Sequence, residues 1–105
     1  MKTYNIEITS KAYKDMDSIY TYIAYELHEP IVAANQYDRI ADAILTLDKM
    51  PDRIKIMNSE PALSRSLRPL LVDNYTVLFT IELDTVFIVR VLYSSSDINA
   101  RIADE

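Results

Sequence analysis

The sequence contains 105 residues, half of which are hydrophobic, and carries a net charge of −5. This length predicts a single domain over residues 1–105, and the acidic balance argues against sequence-specific DNA binding by the chain alone, because phosphate contacts depend on Lys and Arg. The chain has no cysteine, hence no disulfide or thiolate metal site, and no apolar run reaches the roughly 18 residues of a membrane span, so we expect a cytoplasmic protein without cofactor or membrane contact.

The first predicted element is a strand. Tyr4, Ile6 and Ile8 alternate with polar residues, which is the period-two pattern of a strand with one buried face. A signal peptide would instead have a continuous apolar core. We therefore expect no targeting segment in this stretch.

Two amphipathic helices follow. Ser10 is the predicted N-cap of the first, which should run to about Leu27, and Pro30 suits the first turn of the second, which should end at Met50-Pro51. Their apolar stripes are Ala12, Met16, Ile19, Tyr20, Ile23 and Leu27 in the first helix, and Ala33, Tyr37, Ile40, Ala41, Ile44 and Leu47 in the second. Two helices joined by so few residues form an αα-hairpin.

The region between Ser64 and Asp97 holds three apolar runs at hairpin spacing, which predicts an antiparallel meander. Residues 51–63 lack a clear period and predict a loop or distorted strand leading into it. Pro69 cannot donate a ladder hydrogen bond, so the first run of the meander should be an edge or bulged strand. The last run, Val86 to Tyr93, is apolar on both faces apart from Arg90 and should lie inside the sheet.

The predicted turns of the meander are Asp73-Asn74 and Asp84-Thr85. Asn and Asp tolerate positive φ, and the chain has no glycine to use instead. The alternation in the middle run predicts one better-buried face, made of Tyr75, Val77, Phe79, Ile81 and Leu83. After the meander, a short C-terminal helix capped by Ser96 or Asp97 should place Ile98 and Ile102 on one side.

Residues 53–72 form a basic segment in an otherwise acidic chain, with four basic side chains and one acidic one. One interpretation is that Arg65 and Arg68 are solvent-facing and pair with nearby carboxylates for little energy. The other is a binding face for an anion or an acidic partner. Arg65, Arg68 and Tyr93 are weak candidates for such a site, provided that the arginines flank Pro69 on one sheet.

Two other residue types call for an interpretation. His28 lies between Glu26 and Glu29 in the bend between the helices, which is an incomplete metal shell, so a solvated loop and no metal site are predicted. The tyrosines of the hairpin have helical spacing, which favours core and seam positions over a stacking platform. They are Tyr13, Tyr20, Tyr22, Tyr25 and Tyr37.

Several stretches, in this order, resemble the RelE/ParE superfamily of type II toxin–antitoxin toxins, also called plasmid stabilization proteins, and the ParE branch more than RelE. They are YNIEITSKAYKDMDSIYTYIA, the region from Ala33 to Gln36, MPDR, SLRPLLVDNYTVLFTI and VFIVRVLYSSSD, and they cover nearly the whole chain. The resemblance implies an α+β fold with an N-terminal strand, an αα-hairpin and a three-stranded meander. It also implies a cognate antitoxin as partner, which would fill an apolar groove between sheet edge and hairpin, and a tendency to form a homodimer when the antitoxin is absent.

The resemblance allows two activities. RelE-type toxins cut messenger RNA on the ribosome and use Lys and Arg to stabilise the charged transition state. Thr76 and Ser95-Ser96 stand where the family has arginines, while Arg68 matches a common feature of the family, and Arg65, Arg90 and Tyr93 remain beside it. The resemblance therefore favours a toxin that binds DNA gyrase in the manner of ParE. The alternatives are a RelE-like endoribonuclease with a reduced catalytic set and a non-toxic homologue.

Overall fold

A computed structural model describes residues 2–103 of the chain. Within this range, a hairpin of two helices packs on one face of a four-stranded sheet, which gives an α+β fold. In chain order the elements are β1 (Asn5–Ile8), α1 (Ser10–Thr21) with a π-helical continuation (Tyr22–Glu26), α2 (Pro30–Leu45), β2 (Arg68–Val72), β3 (Tyr75–Glu82), β4 (Thr85–Tyr93) and α3 (Ile98–Ala103). Short 3-10 turns at Thr46–Asp48 and Pro51–Arg53 follow α2. The predicted order of elements is confirmed.

The sheet has the strand order β1-β4-β3-β2. β4 lies inside the sheet, as its apolar faces predicted, and β2 lies at the edge, as Pro69 predicted. β1 runs parallel to β4 but covers only Thr85 to Ile88. Among the described residues, the rest of β4 therefore has a neighbouring strand on one side only.

A bulge in β4 changes which residues face the hairpin. Leu78 is opposite Arg90 and Phe79 is opposite Ile88, so Val89 is an extra residue in the ladder. A bulge of this kind shifts the alternation of the residues that follow it. Val91 consequently joins Val86 and Ile88 in the core beneath the hairpin.

The ends of α1 differ from the prediction in detail. Thr9, and not Ser10, is the N-cap, and its hydroxyl accepts a hydrogen bond from the Ala12 amide at 3.2 Å. The helix continues in π geometry, with the Leu27 amide donating to the Tyr22 carbonyl at 3.1 Å. The helix ends where predicted, but Leu27 is half exposed and not part of the buried stripe. Pro30 is the first residue of α2, as predicted.

The main core lies between the hairpin and one face of the sheet. Its buried members are Ala12, Met16, Ile40, Ile44, Leu47, Val72, Val77, Phe79, Val86, Ile88 and Val91. The stripe of α2 is confirmed, since its members are buried or half-buried. Burial of this apolar surface is the main favourable term that holds the helices to the sheet.

A second core covers the opposite face of the sheet, so the prediction of a single better-buried face is wrong. Its buried members are Ala62, Leu67, Leu78, Leu92 and Ile102. The loop over residues 57–67 and α3 supply the cover on this side. As predicted, Ile98 and Ile102 both pack there, and Asp97 caps α3 by accepting a hydrogen bond from the Ala100 amide at 3.1 Å.

The two turns of the meander both use a residue with positive φ. The first is Asp73-Asn74, as predicted, with Asp73 at φ 53°. The second is Leu83-Asp84 and not Asp84-Thr85, because Thr85 already belongs to β4. Leu83, expected on the buried face, has φ 54° and is 92% exposed.

An ion pair ties α2 to the first of these turns. The Asp73 carboxylate accepts hydrogen bonds from Arg39 Nε and Nη2, both at 2.7 Å, and from Gln36 Nε2 at 3.0 Å. The hydrogen bonds from Arg39 and Gln36 lower the pKa of Asp73 from 3.8 to about 2. The pair is exposed to solvent, so its contribution is screened by salt.

The depressed pKa of Asp73 predicts a specific acid sensitivity. Its stabilising contribution is present above pH 3.8 and is lost as the pH falls towards about 2. Asn tolerates the same positive φ, so Asp73→Asn removes the charge and keeps the turn. We expect a smaller drop in Tm between pH 7 and pH 2 in this variant than in the wild type, measured by circular dichroism at low salt.

The control is Asp38→Asn, which removes one charge from an exposed position on α2. It should leave the pH dependence of Tm as in the wild type. Identical pH dependence in wild type and Asp73→Asn would contradict the stabilising role of the ion pair.

Candidate functional site

A groove of about 740 Å³ opens between the helix hairpin and the end of the sheet, where such a groove was expected. It begins beside the uncovered part of β4 and runs under the π-helical segment. Its walls are Asp15, Ser18, Ile19, Tyr22, Ile23, Leu27, Val32, Gln36, Asn74, Tyr75, Val91, Leu92, Tyr93 and Arg101. Apolar and aromatic side chains make up most of the wall, with a few polar groups among them.

The groove exists because β1 ends early. The Thr9 amide donates to the Ile88 carbonyl at 3.1 Å, and the chain then leaves the sheet to form α1. Beyond this point no strand in the described chain covers that edge of β4. Instead, α1 crosses the edge and presents Asp15 to it.

Asp15 takes the place of a neighbouring strand. One of its carboxylate oxygens accepts hydrogen bonds from the Val91 amide at 2.9 Å and from Arg90 Nε at 2.7 Å, and the other accepts from Arg90 Nη2 at 2.9 Å. The side chains of Arg90 and Asp15 are only 9% and 13% exposed. The buried arginine is therefore neutralised by a bidentate partner that also satisfies a backbone donor.

Three tyrosines form the aromatic wall of the groove. The rings of Tyr75 and Tyr93 meet edge to face with centroids 5.9 Å apart. Burial, together with the nearby phenols of Tyr93 and Tyr22, raises the pKa of Tyr75. Tyr75 is therefore uncharged at neutral pH, and the wall offers apolar ring faces with hydroxyl groups at their tips.

The other hairpin tyrosines divide into two groups. Tyr20 and Tyr37 meet edge to face across the seam of the hairpin, at 6.4 Å between centroids, as predicted. Tyr13, Tyr22 and Tyr25 are 47%, 55% and 69% exposed, so the prediction of core positions is wrong for them. The π-helical segment contributes to this result, because it buries Ile23 and Ala24 in succession and turns their neighbours outward.

Comparison with known proteins identifies the family. The model of the family described as "ParE toxin of type II toxin-antitoxin system, parDE" matches residues 6–98. The chain belongs to the ParE toxin family. It is thus the toxin component of a type II toxin–antitoxin system, as the resemblance implied. No match was found among curated proteins.

Solved structures share the fold of this ParE-family toxin. One is the chromosomal ParDE toxin–antitoxin system from P. aeruginosa, with a TM-score of 0.73, 21% sequence identity and coverage of 87% of this chain and 96% of that chain. Another is the toxin–antitoxin complex RelBE2 from Mycobacterium tuberculosis, with a TM-score of 0.62, 21% identity and coverage of 91% and 97%. Both likenesses extend over nearly the whole fold.

The candidate residues of the toxin do not come together in one site. Arg68 is opposite Phe79, whereas Tyr93 is opposite Tyr75. These two positions are separated by four residues along β3, or about 13 Å. Arg68 donates to the carbonyls of Ile54 at 2.6 Å and Asp52 at 3.4 Å, and not to a carboxylate of the hairpin. Arg65 donates to the Ile102 carbonyl at 3.4 Å, on the far side of the sheet from the hairpin.

The positions where the resemblance leads one to expect arginines carry neutral, hydrogen-bonded side chains here. Thr76 is 2% exposed, and its hydroxyl hydrogen-bonds to the Ser94 hydroxyl at 2.8 Å. Ser96 donates its hydroxyl to the Tyr93 carbonyl at 2.5 Å. A guanidinium at the buried position of Thr76 would be taken out of water.

Neither a metal cluster nor a membrane segment is found in the described part of the chain. No group of three or more His, Asp or Glu side chains comes together within residues 2–103. His28 lies in the bend of the hairpin with φ 56°. None of the helices in this range is long and apolar enough to cross a bilayer.

Loss of Asp15 should strongly destabilise the toxin. Asp15→Ala removes the bidentate carboxylate that accepts from the buried Arg90 and from the Val91 amide, which should cost about 3–5 kcal/mol in free energy of unfolding. Urea denaturation followed by circular dichroism measures this change.

The matched control is Asp17→Ala, which removes the same charge from an exposed position on α1. This variant should lie within about 0.5 kcal/mol of the wild type. Equal stability of the two variants would show that the Asp15 pair contributes nothing beyond its charge.

Proposed function

We propose that this toxin acts by binding a protein target, DNA gyrase, in the cytoplasm, and that its cognate antitoxin silences it by occupying the groove. The observation that supports this proposal is the contrast between engaged arginines and an open apolar surface. The arginines of β2 and β4 make hydrogen bonds inside the chain, whereas a large apolar and aromatic surface at the hairpin is left open.

The arrangement of charge favours binding over RNA cleavage. A ribonuclease of the RelE type needs cations directed at the scissile phosphate. Here Arg90 is held by Asp15, and Arg68 is held by backbone carbonyls. Thr76, at a family arginine position, is buried and neutral. These contacts leave little positive charge to stabilise a phosphorane-like transition state at one place.

The exposed apolar surface favours a protein partner. Within the bend of the hairpin, Tyr22, Tyr25, Leu27, Ile31 and Val32 are 55%, 69%, 50%, 76% and 50% exposed. Three of them also line the groove. Apolar surface concentrated in this way is typical of protein interaction sites. Tyr25 and Ile31 lie outside the groove and are assigned to the target, while the groove is assigned to the antitoxin.

Gyrase binding can be tested in cells and with purified protein. Expression of the toxin in a bacterial host should arrest growth with filamentation and a DNA-damage response, and purified toxin should inhibit DNA supercoiling by gyrase. Tyr25→Ser combined with Ile31→Ser should weaken this inhibition about tenfold or more, because exposed aromatic and aliphatic anchors dominate interface energy. Both side chains are exposed, so Tm should change little.

The control is Leu83→Ser, which removes an even more exposed apolar side chain from the turn between β3 and β4. It should inhibit gyrase as the wild type does. Arrest with truncated messenger RNA, together with ribosome-dependent cleavage by the purified toxin, would replace gyrase binding by the nuclease activity. The absence of any growth phenotype would indicate a non-toxic homologue. Thr76→Arg does not serve as a gain-of-function test, since it would bury an unpaired cation.

Without the antitoxin, the open groove should also drive self-association into a homodimer or larger species. Sedimentation velocity should show a mass that rises with concentration. Tyr22→Ser combined with Val32→Ser should shift the toxin towards the monomer, because both side chains are half exposed in the groove wall. A wild-type toxin that stays monomeric at the highest attainable concentrations would contradict this expectation.

A further inference from the structure

We propose that the antitoxin adds a short strand, parallel to β4, at the edge that β1 leaves uncovered, and that its residue opposite Leu92 is acidic. This inference rests on the proposed role of the groove as the antitoxin site. It goes further by naming the backbone groups that receive the strand and the side-chain pattern that they select.

The direction of the backbone groups of β4 is fixed by its existing hydrogen bonds. The Ser94 amide donates to the Asn74 carbonyl at 2.8 Å, so Ser94 and, two residues earlier, Leu92 turn their backbone groups towards β3. Val91 and Tyr93 therefore turn theirs to the other side, into the groove. The bond from the Val91 amide to Asp15 confirms this direction.

Two of the four backbone groups on this side are already engaged. The Val91 amide donates to Asp15 at 2.9 Å. The Tyr93 carbonyl accepts from the Ser96 amide at 3.0 Å and from the Ser96 hydroxyl at 2.5 Å. The Val91 carbonyl and the Tyr93 amide remain, and within residues 2–103 neither has a partner outside the β3 ladder.

This pair of groups selects a parallel strand. In parallel pairing, a residue of the incoming strand lies opposite one residue of β4. Its amide donates to the carbonyl of the β4 residue one position earlier, and its carbonyl accepts from the amide of the β4 residue one position later. A residue opposite Leu92 would thus satisfy both Val91 and Tyr93. An antiparallel strand would need both backbone groups of Val91 or of Tyr93, and each residue has one group engaged. β1 itself is parallel to β4, so the added strand would continue its direction.

The side chains of the groove select an alternating pattern. A residue opposite Leu92 shares its face of the sheet, where α3 lies and where Arg101 lines the groove. Arg101 makes no side-chain hydrogen bond or ion pair with other residues in the described range, so it can receive a carboxylate. The residues on either side would face Tyr22 and Ile19 and should be apolar. The expected segment therefore reads apolar, acidic, apolar.

Amide hydrogen exchange tests the strand directly. The probe is the complex formed when the ¹⁵N-labelled toxin is co-expressed with the small protein encoded beside its gene. The Tyr93 amide should exchange rapidly in the free toxin and about a hundredfold more slowly in the complex. The amide of Leu83, an exposed turn residue that does not line the groove, should exchange at the same rate in both samples.

Failure of the added strand and failure of the antitoxin assignment give different results. A stable complex in which Tyr93 exchanges as in the free toxin would overturn the added strand and leave the antitoxin assignment intact. If no complex forms, the antitoxin assignment fails together with this inference. Protection of Tyr93 in the toxin alone, rising with concentration, would identify a second copy as the occupant and would also overturn the inference.

A pair of variants tests the acidic residue. Arg101→Gln should weaken the complex about 10- to 100-fold, because it leaves a desolvated carboxylate without its cation. Lys55→Gln removes the same charge from an exposed position outside the groove and should change the affinity less than about twofold. Equal affinities of the two variants would overturn the acidic assignment. Unchanged Tm of Arg101→Gln would show that α3 remains folded.

Discussion

The contact between Asp15 and β4 is the interaction on which the arrangement of this toxin depends. It joins the first helix to the strand inside the sheet at the point where β1 stops covering it. It also supplies a bidentate counter-charge for the buried guanidinium of Arg90. Because Asp15 reaches the edge of β4 with a side chain and not a backbone, α1 stands away from the strand. The groove is the space that results.

Much of the fold could be predicted because its determinants are local. The change of hydrophobic period between strands and helices, Pro30 at the start of α2, Pro69 on an edge strand and Asp97 as a cap each report on their own neighbourhood in the sequence. The second core could not be predicted in this way. It is covered in part by the loop over residues 57–67, which has no periodic pattern in its sequence. The alternation of residues in β3 places Leu78 on a face that is equally consistent with exposure to solvent.

For the candidate site, the sequence could predict which residue types matter but not which of them are available for binding. The sequence indicated arginines and a tyrosine of interest, but their availability depends on contacts made by residues distant in the chain, such as the carbonyl of Ile54 for Arg68. The extra residue at Val89 has no sequence signal, although it decides that Tyr93 faces the groove. One signal did exist for Asp15. A single arginine within an apolar inner strand requires a carboxylate partner, and the polar side of α1 carries two candidates, Asp15 and Asp17.

The turns of this glycine-free chain have a consequence for how stable the domain can become. Within residues 2–103, five residues adopt left-handed backbone conformations, namely His28, Met50, Ser66, Asp73 and Leu83. Leucine with a left-handed backbone costs about 1–2 kcal/mol that glycine would not incur. Leu83 is also almost fully exposed, so its side chain returns little packing energy in exchange. A substitution of Leu83 by glycine would therefore raise the free energy of unfolding at a position that does not line the groove. Protein engineers could stabilise the domain in this way without altering its recognition surfaces.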